Sequence, residues 1–305
     1  MINLNNARMN TWKPVIKIAF TSLFVVLIIY WFDFSSIYDA LGHVSWLLYL
    51  IVISGHFVLM AIKALRWQLL LRSLQIPCSY GQAVKAYTAG VAFGTFTPGQ
   101  LGDMGKIMLI PGATGQRKKA LISTLIDRVW DFLGMVVVTG VCIVYLFFPV
   151  IKQNVVFYGG AFICFGMFLL PFVYKFMQKI ILRKLNINID ELFKNWQWSF
   201  LLTVLALVIQ FFRWAILAIA FKLPILITAS IAMAGTLVAL LPVSFGGLGT
   251  REVTIATLFS LNGLDPATGV SYSLLMLGSY LVGALAGFFL LYIYKHQTPA
   301  SGSVE

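Results

Sequence analysis

The chain has 305 residues, of which 60% are hydrophobic and 10% charged; its net charge is +12 and its mean hydropathy +0.91. A water-soluble domain carries about 25% charged residues, so this chain cannot clothe a globular surface and a sizeable soluble domain is excluded. Its basic residues gather at the ends of apolar runs, as in loops lying against anionic lipid, and no basic module interleaved with aromatics lies outside them, which argues against nucleic acid as a partner.

Residues 1–13 form a basic N-terminus, expected in the cytoplasm. The first transmembrane helix is predicted at 14–32. No small-x-small cleavage site follows it in Asp33–Val44, so it reads as a retained anchor rather than a signal peptide. A second span is predicted at 44–65. The next apolar stretch, Ala83–Gly112, is broken at Thr97-Pro98-Gly99-Gln100-Leu101-Gly102. Spans follow at 120–149 and 154–175, then a basic, partly amphipathic loop, Phe176–Asn195, suited to the headgroup layer. A fifth span is predicted at 197–221. Ile225–Leu261 is broken at Leu241-Pro242 and at Gly246-Gly247-Leu248-Gly249; a sixth span at 268–294 and a polar tail at 295–305 close the chain.

A helix needs about 20 apolar residues to cross the hydrocarbon, and the six spans are of that order. The two broken stretches do not fit as simple crossings. Proline removes a backbone donor and glycine ends helices, so each is expected to form two short helices meeting at a glycine-rich tip, a re-entrant hairpin. The fold class predicted is an all-α polytopic membrane protein of about six transmembrane helices plus two re-entrant helical hairpins. Lysine and arginine bias places both termini on the cytoplasmic side of the cytoplasmic membrane.

The halves echo each other. Arg66-Trp67 recurs as Arg213-Trp214, and Leu101-Gly102 as Leu248-Gly249, both 147 residues apart. A duplication is expected, with repeat 1 at 14–150 and repeat 2 at 151–294. Three crossings per repeat invert the second copy, an arrangement frequent in transporters.

Enzyme motifs are absent. Gly105-Lys106 fails as a phosphate loop because Gln100 and Ile107 occupy required positions, and Gly247-x-Gly249 lacks its third glycine. His43, His56 and His296 are scattered, and Cys78, Cys142 and Cys164 show no paired spacing. No catalytic residue, cofactor or metal is predicted.

Ionisable residues near membrane depth cost several kcal/mol unless they face a cavity or a partner. Arg66 either snorkels to the cytoplasmic surface with Trp67 as anchor or faces a polar path. Arg213, deep in an uncharged stretch, is expected in function or in an internal ion pair. Asp103 and Lys106 follow the first tip, and Arg251 and Glu252 the second. Each pair either caps the short helix behind it or joins free glycine amides in holding an anion. The second reading gives a substrate-binding set of Arg66, Gly102, Asp103, Lys106, Arg213, Gly246, Gly247, Gly249, Arg251 and Glu252. Asp127 and Asp131, at i and i+4 beside Arg128, read either as a salt-bridged helix start or as an ion or proton site. Glu252 is the carboxylate expected to answer to protons, since adjacent helical residues diverge by about 100° and Arg251 need not pair with it.

Pro242–Glu252 (PVSFGGLGTRE), with the small-residue helix before it, and Phe96–Lys106 (FTPGQLGDMGK) resemble the lysylphosphatidylglycerol synthase transmembrane-region family, whose members are also described as flippase-like. The likeness covers residues 14–294. In full-length synthases this membrane region, which moves the aminoacylated lipid, precedes a cytosolic aminoacyltransferase domain; without that domain the sequence is expected not to make lysyl-lipid. The resemblance implies a flippase moving an anionic phospholipid or a polyprenyl-phosphate-linked headgroup, with membrane lipids as partners. Two alternatives stand beside it: an intramembrane transferase holding a divalent metal at Asp127 and Asp131, and a non-transporting membrane partner of a glycosyltransferase.

Overall fold

The computed structural model describes residues 38–39, 41–42, 44–97, 100–110, 115–147, 196–244 and 246–297. The predicted spans at 14–32 and 154–175 and the basic loop 176–195 lie outside the described residues. The other four predicted spans are present as long apolar helices: α1 (Trp46–Ser73), α3 (Arg117–Phe147), α4 (Trp196–Ala220) and α7 (Pro266–Gln297). Each contains a window of mean hydropathy 2.0 to 2.2 long enough to cross a bilayer. The described residues form helices and no strands.

Two of these helices stop in the same way. Gln75 takes a left-handed conformation (φ 62°) and the Ile76 amide donates back to the Leu71 carbonyl; Lys222 (φ 57°) and the Leu223 amide to Ala218 repeat it at the end of α4. Such a closure satisfies carbonyls that a helix end leaves orphaned. Pro77 and Pro224 then prevent either helix from resuming. Both features recur 147 residues apart, the spacing of the Arg-Trp pairs.

Each broken stretch is a helix, a turn and a second helix. The first is α2 (Tyr80–Thr95) followed by a 3-10 helix, Leu101–Leu109. Ser79 and Gln82 cap α2 reciprocally, side chain to amide in both directions. The second stretch is α5 (Ile225–Ala239) followed by α6 (Thr250–Leu261). Both fold back on themselves. Gly90 lies against Asp103 and Lys106, and Gly94 against Gln100; in the second stretch Gly235 lies against Arg251 and Ile255, and Gly247 against Ala239. Beyond α6, Asp265 caps α7 through the amides of Ala267 and Thr268, with Pro266 at the first helical position. Partial burial works against the Asp265 charge, but the hydroxyl and amide of Thr268 outweigh it and hold the carboxyl below its usual range.

The long helices set the frame. α1 and α4, the two Arg-Trp helices, run antiparallel side by side. The Ser45 amide donates to Ala220, Arg213 Nε to the Val52 carbonyl, and Arg66 Nη1 to Thr203 Oγ1. Each hairpin packs on the last long helix of the other half: α2 on α7, where Gly287 meets the Thr88 carbonyl, and α5 on α3, where Thr139 donates to the Met233 carbonyl. In lipid the apolar effect does not drive helices together, so close approach must come from small side chains. Thr228-Ala229-Ser230, Ala232, Ala234 and Gly235 supply it in α5, and Ala86, Ala89, Gly90 and Ala92 in α2, all buried. One core gathers around Trp214, Met233, Phe259 and Tyr272, a second around Trp67, Tyr87, Ile122 and Trp130.

Candidate functional site

Between the hairpins lies a cavity of about 110 Å³, bounded by residues of α2, the 3-10 helix, α5 and α6 as well as α1, α3, α4 and α7. The polar side chains around it come in two groups.

The first group joins α1, α3 and the 3-10 helix. Arg66 is fully buried. Its Nε donates to Asp127 Oδ1 (2.8 Å), its Nη1 to Thr203 (2.8 Å) and its Nη2 to Asp131 Oδ1 (2.7 Å). Lys106 Nζ reaches Asp103 Oδ2 (3.0 Å) and Asp127 Oδ2 (3.2 Å), and lies over the rings of Tyr87 and Trp67. Lys63 binds Asp131 Oδ2 (2.9 Å), and Arg128 binds Asp103 Oδ2 and both oxygens of Gln100. Helical spacing explains the convergence. Lys63 and Arg66 are three apart on one face of α1, and Asp127 and Asp131 four apart on the facing side of α3. Taking these charges out of water costs several kcal/mol per ion, recovered only where each is paired and hydrogen-bonded.

The second group is smaller. Arg251 pairs with its neighbour Glu252 (2.7 Å). Glu252 also accepts from the Gly249 amide (2.6 Å) and the Ser273 hydroxyl (2.9 Å), and Arg251 Nε donates to Ser273 (3.0 Å). Arg213, 2% exposed, has no carboxylate within ion-pairing distance among the described residues. It donates to the Val52 carbonyl (3.0 Å), Gln210 Oε1 (3.1 Å) and Ser279 Oγ (3.0 Å), and its guanidinium sits over the Trp214 ring.

The sequence-predicted residues divide accordingly. Arg66, Asp103, Lys106, Asp127 and Asp131 meet in one network; Arg66 does not snorkel to a surface. Arg251 and Glu252 do pair, against the expectation from their adjacency, because the Arg251 side chain curls back onto a carboxylate fixed by the Gly249 amide. Two amides counted as free donors are already used: Gly102 donates to Thr97 Oγ1 (2.7 Å) and Gly249 to Glu252. Gly102 is needed for packing, since a Cβ there would strike the Phe93 carbonyl. Gly246 and Gly247 form the second tip, and Gly246 touches Thr95 at the end of α2. All four oxygens of Asp127 and Asp131 face an ammonium or guanidinium group, so a divalent cation would have to displace Arg66, Lys106 and Lys63 to bind there.

Sequence reading left out Lys63 and Gln100, set Arg128 aside as a neighbour of the two aspartates, and passed over His56, Gln210 and Tyr280. Lys63 carried a usable signal, three residues before Arg66 on a predicted span. Gln100 and Gln210 carried none, since uncharged amides in apolar segments acquire partners only through the fold.

In all, Lys63, Arg66, Lys106, Arg128, Arg213 and Arg251 stand against Asp103, Asp127, Asp131 and Glu252, a surplus of two positive charges. Side-chain exposure is 26% for Lys63 and 24% for Arg128; the rest of the set is buried. Such an arrangement suits an anion.

Comparison with curated proteins and with solved structures gives no match to this chain. A sequence profile described as the lysylphosphatidylglycerol synthase TM region matches residues 15–287. With four apolar helices of crossing length among the described residues, the protein is a membrane protein whose function is tied to membrane lipids. The chain belongs to the lysylphosphatidylglycerol synthase transmembrane-region family.

Proposed function

We propose that the protein is a lipid translocase, a flippase that passes an anionic phospholipid or polyprenyl-phosphate-linked headgroup across the cytoplasmic membrane while the apolar chains stay in lipid. The observation that carries this reading is the surplus of two positive charges in the ion groups beside a cavity shared by the two hairpins, with Lys63, Arg128 and Arg251 on its wall against Asp103 and Asp131. A buried surplus of this kind is costly in hydrocarbon and is offset when an anion enters. Lys63 and Arg128, the two partly exposed cations, meet the headgroup first; Arg213 and Arg251 lie behind them.

The hairpins are re-entrant in this reading, and the two halves form an inverted repeat. The antiparallel course of α1 and α4 and the exchanged packing of α2 on α7 and α5 on α3 support that. Both termini are cytoplasmic. A single cysteine at position 152 would then be labelled from outside and one at 118 from inside; labelling of both from one side would sink the inversion. The function is tested in proteoliposomes with headgroup-labelled phosphatidylglycerol. Exchange between leaflets faster than in protein-free vesicles is expected, with phosphatidylcholine slower. No acceleration for any anionic lipid would remove the translocase reading.

A further inference from the structure

His56 is 3% exposed, lines the cavity, and has no hydrogen-bond partner on either ring nitrogen among the described residues. Buried polar atoms are nearly always paired, and an unpaired one costs about 1–3 kcal/mol. Two on one ring, in a segment that crosses the membrane, call for a ligand. The ring is held in place rather than loose. Its edge stands at 85° to Tyr280, centroids 5.2 Å apart, and its Nε2 side rests on Gly283, where a Cβ would collide with it.

The surroundings select what could fill the gap. Arg213 holds Gln210 Oε1, which turns the Gln210 amide nitrogen toward Tyr280; Tyr280 Oη accepts that bond (3.3 Å) and keeps its own proton to give. Gln210 and Tyr280 line the same cavity as His56. The imidazole N–H has no acceptor among the described residues and the Tyr280 O–H is shown donating to none of them, while the Arg213 guanidinium lies directly beside Tyr280, 5.9 Å from its ring centroid.

The near two-fold relation between α1 and α4 sharpens this. Arg66 donates to Thr203, 10 residues before Arg213 on α4; His56 stands 10 residues before Arg66 on α1. His56 thus occupies on α1 the place that Thr203 occupies on α4. Arg66 has two aspartates from α3, whereas Arg213 has Ser279 from α7 and no acid among the described residues. The second half keeps the arginine, which among the described residues has no such counter-anion.

We propose that His56 and Tyr280, with Gln210 and Arg213 behind them, form a subsite for a phosphate oxygen, which supplies the missing negative charge. This rests on the translocase reading only for the source of the phosphate; the shared chemistry is a phosphate monoester or diester, borne by a lipid headgroup or free in solution.

The chain has three histidines, so ring 15N resonances can be followed in the whole protein labelled at histidine, and His56 is assigned by replacing His43 and His296 rather than itself. The protein is held in a maltoside detergent, which carries no phosphate. It is titrated separately with short-chain phosphatidylglycerol, inorganic phosphate and short-chain diacylglycerol. A saturable shift of the His56 nitrogens with phosphatidylglycerol and none with diacylglycerol is expected. A shift with phosphatidylglycerol alone assigns the site to lipid, and an equal shift with inorganic phosphate assigns it to free phosphate. Tyr280→Phe is expected to weaken the saturation about tenfold, the loss of one hydrogen bond. No shift with either phosphate source, or an equal shift with diacylglycerol, overturns the subsite. If His56 does not respond while vesicles still move phosphatidylglycerol, the subsite falls and the translocase stands. If it responds to phosphatidylglycerol and no lipid moves, the subsite stands and the translocase falls.

Discussion

Gly246, at the tip of the second hairpin, lies against the carbonyl oxygen of Thr95, the last residue of α2 in the first; a Cβ on Gly246 would sit 2.5 Å from that oxygen. The contact joins the two hairpins at the cavity wall. Gly246 also has φ +57°, and a left-handed non-glycine residue costs about 1–2 kcal/mol. Gly263, with φ +71° and open space around its Cβ direction, would carry the same backbone cost without the collision.

Gly246→Ala is therefore expected to lower thermal stability in detergent more than Gly263→Ala, with the difference measuring the tip contact. Equal losses would mean that the tips can part without cost.

The ion network of the first half predicts an order among the aspartates. Asp127 is fully buried and answers both Arg66 and Lys106, whereas Asp131 answers Lys63, whose side chain is 26% exposed, as well as Arg66. Asp127→Asn keeps the shape and leaves two buried cations short of a counter-charge, a loss of about 3–5 kcal/mol. Asp131→Asn is expected to cost less, because water reaches Lys63 and screens it. Unfolding in detergent with a graded denaturant ranks the two.

Much of this was legible from the sequence for a plain reason. Length and polarity of apolar runs are set by the bilayer, so the helices at 46–73, 117–147, 196–220 and 266–297 announced themselves, and proline with glycine marked both breaks. Pairing was less legible. The sequence left Arg66 either snorkelling, with Trp67 as interface anchor, or facing a polar path; only the fold shows that Asp127, 61 positions later, accepts from its Nε, and that Trp67 bonds Ser123. Glycine tips suggested free amides, but Thr97 and Glu252 use those of Gly102 and Gly249, since a tight turn satisfies its own donors first. His56 stood out only as one of three scattered histidines. Its lack of partners is a property of three dimensions.

The sequence has no nucleotide-binding loop, so uphill movement would draw on the membrane potential, an ion gradient or a partner protein. One charge crossing 100 mV is worth about 2.3 kcal/mol, enough for roughly a fifty-fold gradient of a monovalent headgroup. Proteoliposomes under an imposed potential, inside positive, are expected to accumulate labelled phosphatidylglycerol in the inner leaflet, and Glu252→Gln tests whether that carboxylate is needed. Equal leaflets at the same potential would mean that the headgroup crosses with a compensating charge.

The two arginines of the second half give the sharpest contrast. Arg251 is locked to Glu252, which the Gly249 amide and Ser273 also hold. Arg251→Gln leaves that carboxylate buried with only neutral donors, so a loss of about 3–5 kcal/mol in stability is expected, recovered in part by Arg251→Gln with Glu252→Gln. Arg213 has neutral partners: a backbone carbonyl, an amide oxygen and a hydroxyl. Its removal strands no acid, and Arg213→Gln is expected to fold with little loss while lipid movement fails. Arg213→Lys keeps the charge but cannot reach Val52, Gln210 and Ser279 together, since an ammonium lacks the planar fork of a guanidinium. Partial transport in that variant would show that charge matters more than geometry, and none would show the reverse. Full transport in Arg213→Gln would remove Arg213 from the path and leave Lys63 and Arg128 as the cations that meet the headgroup.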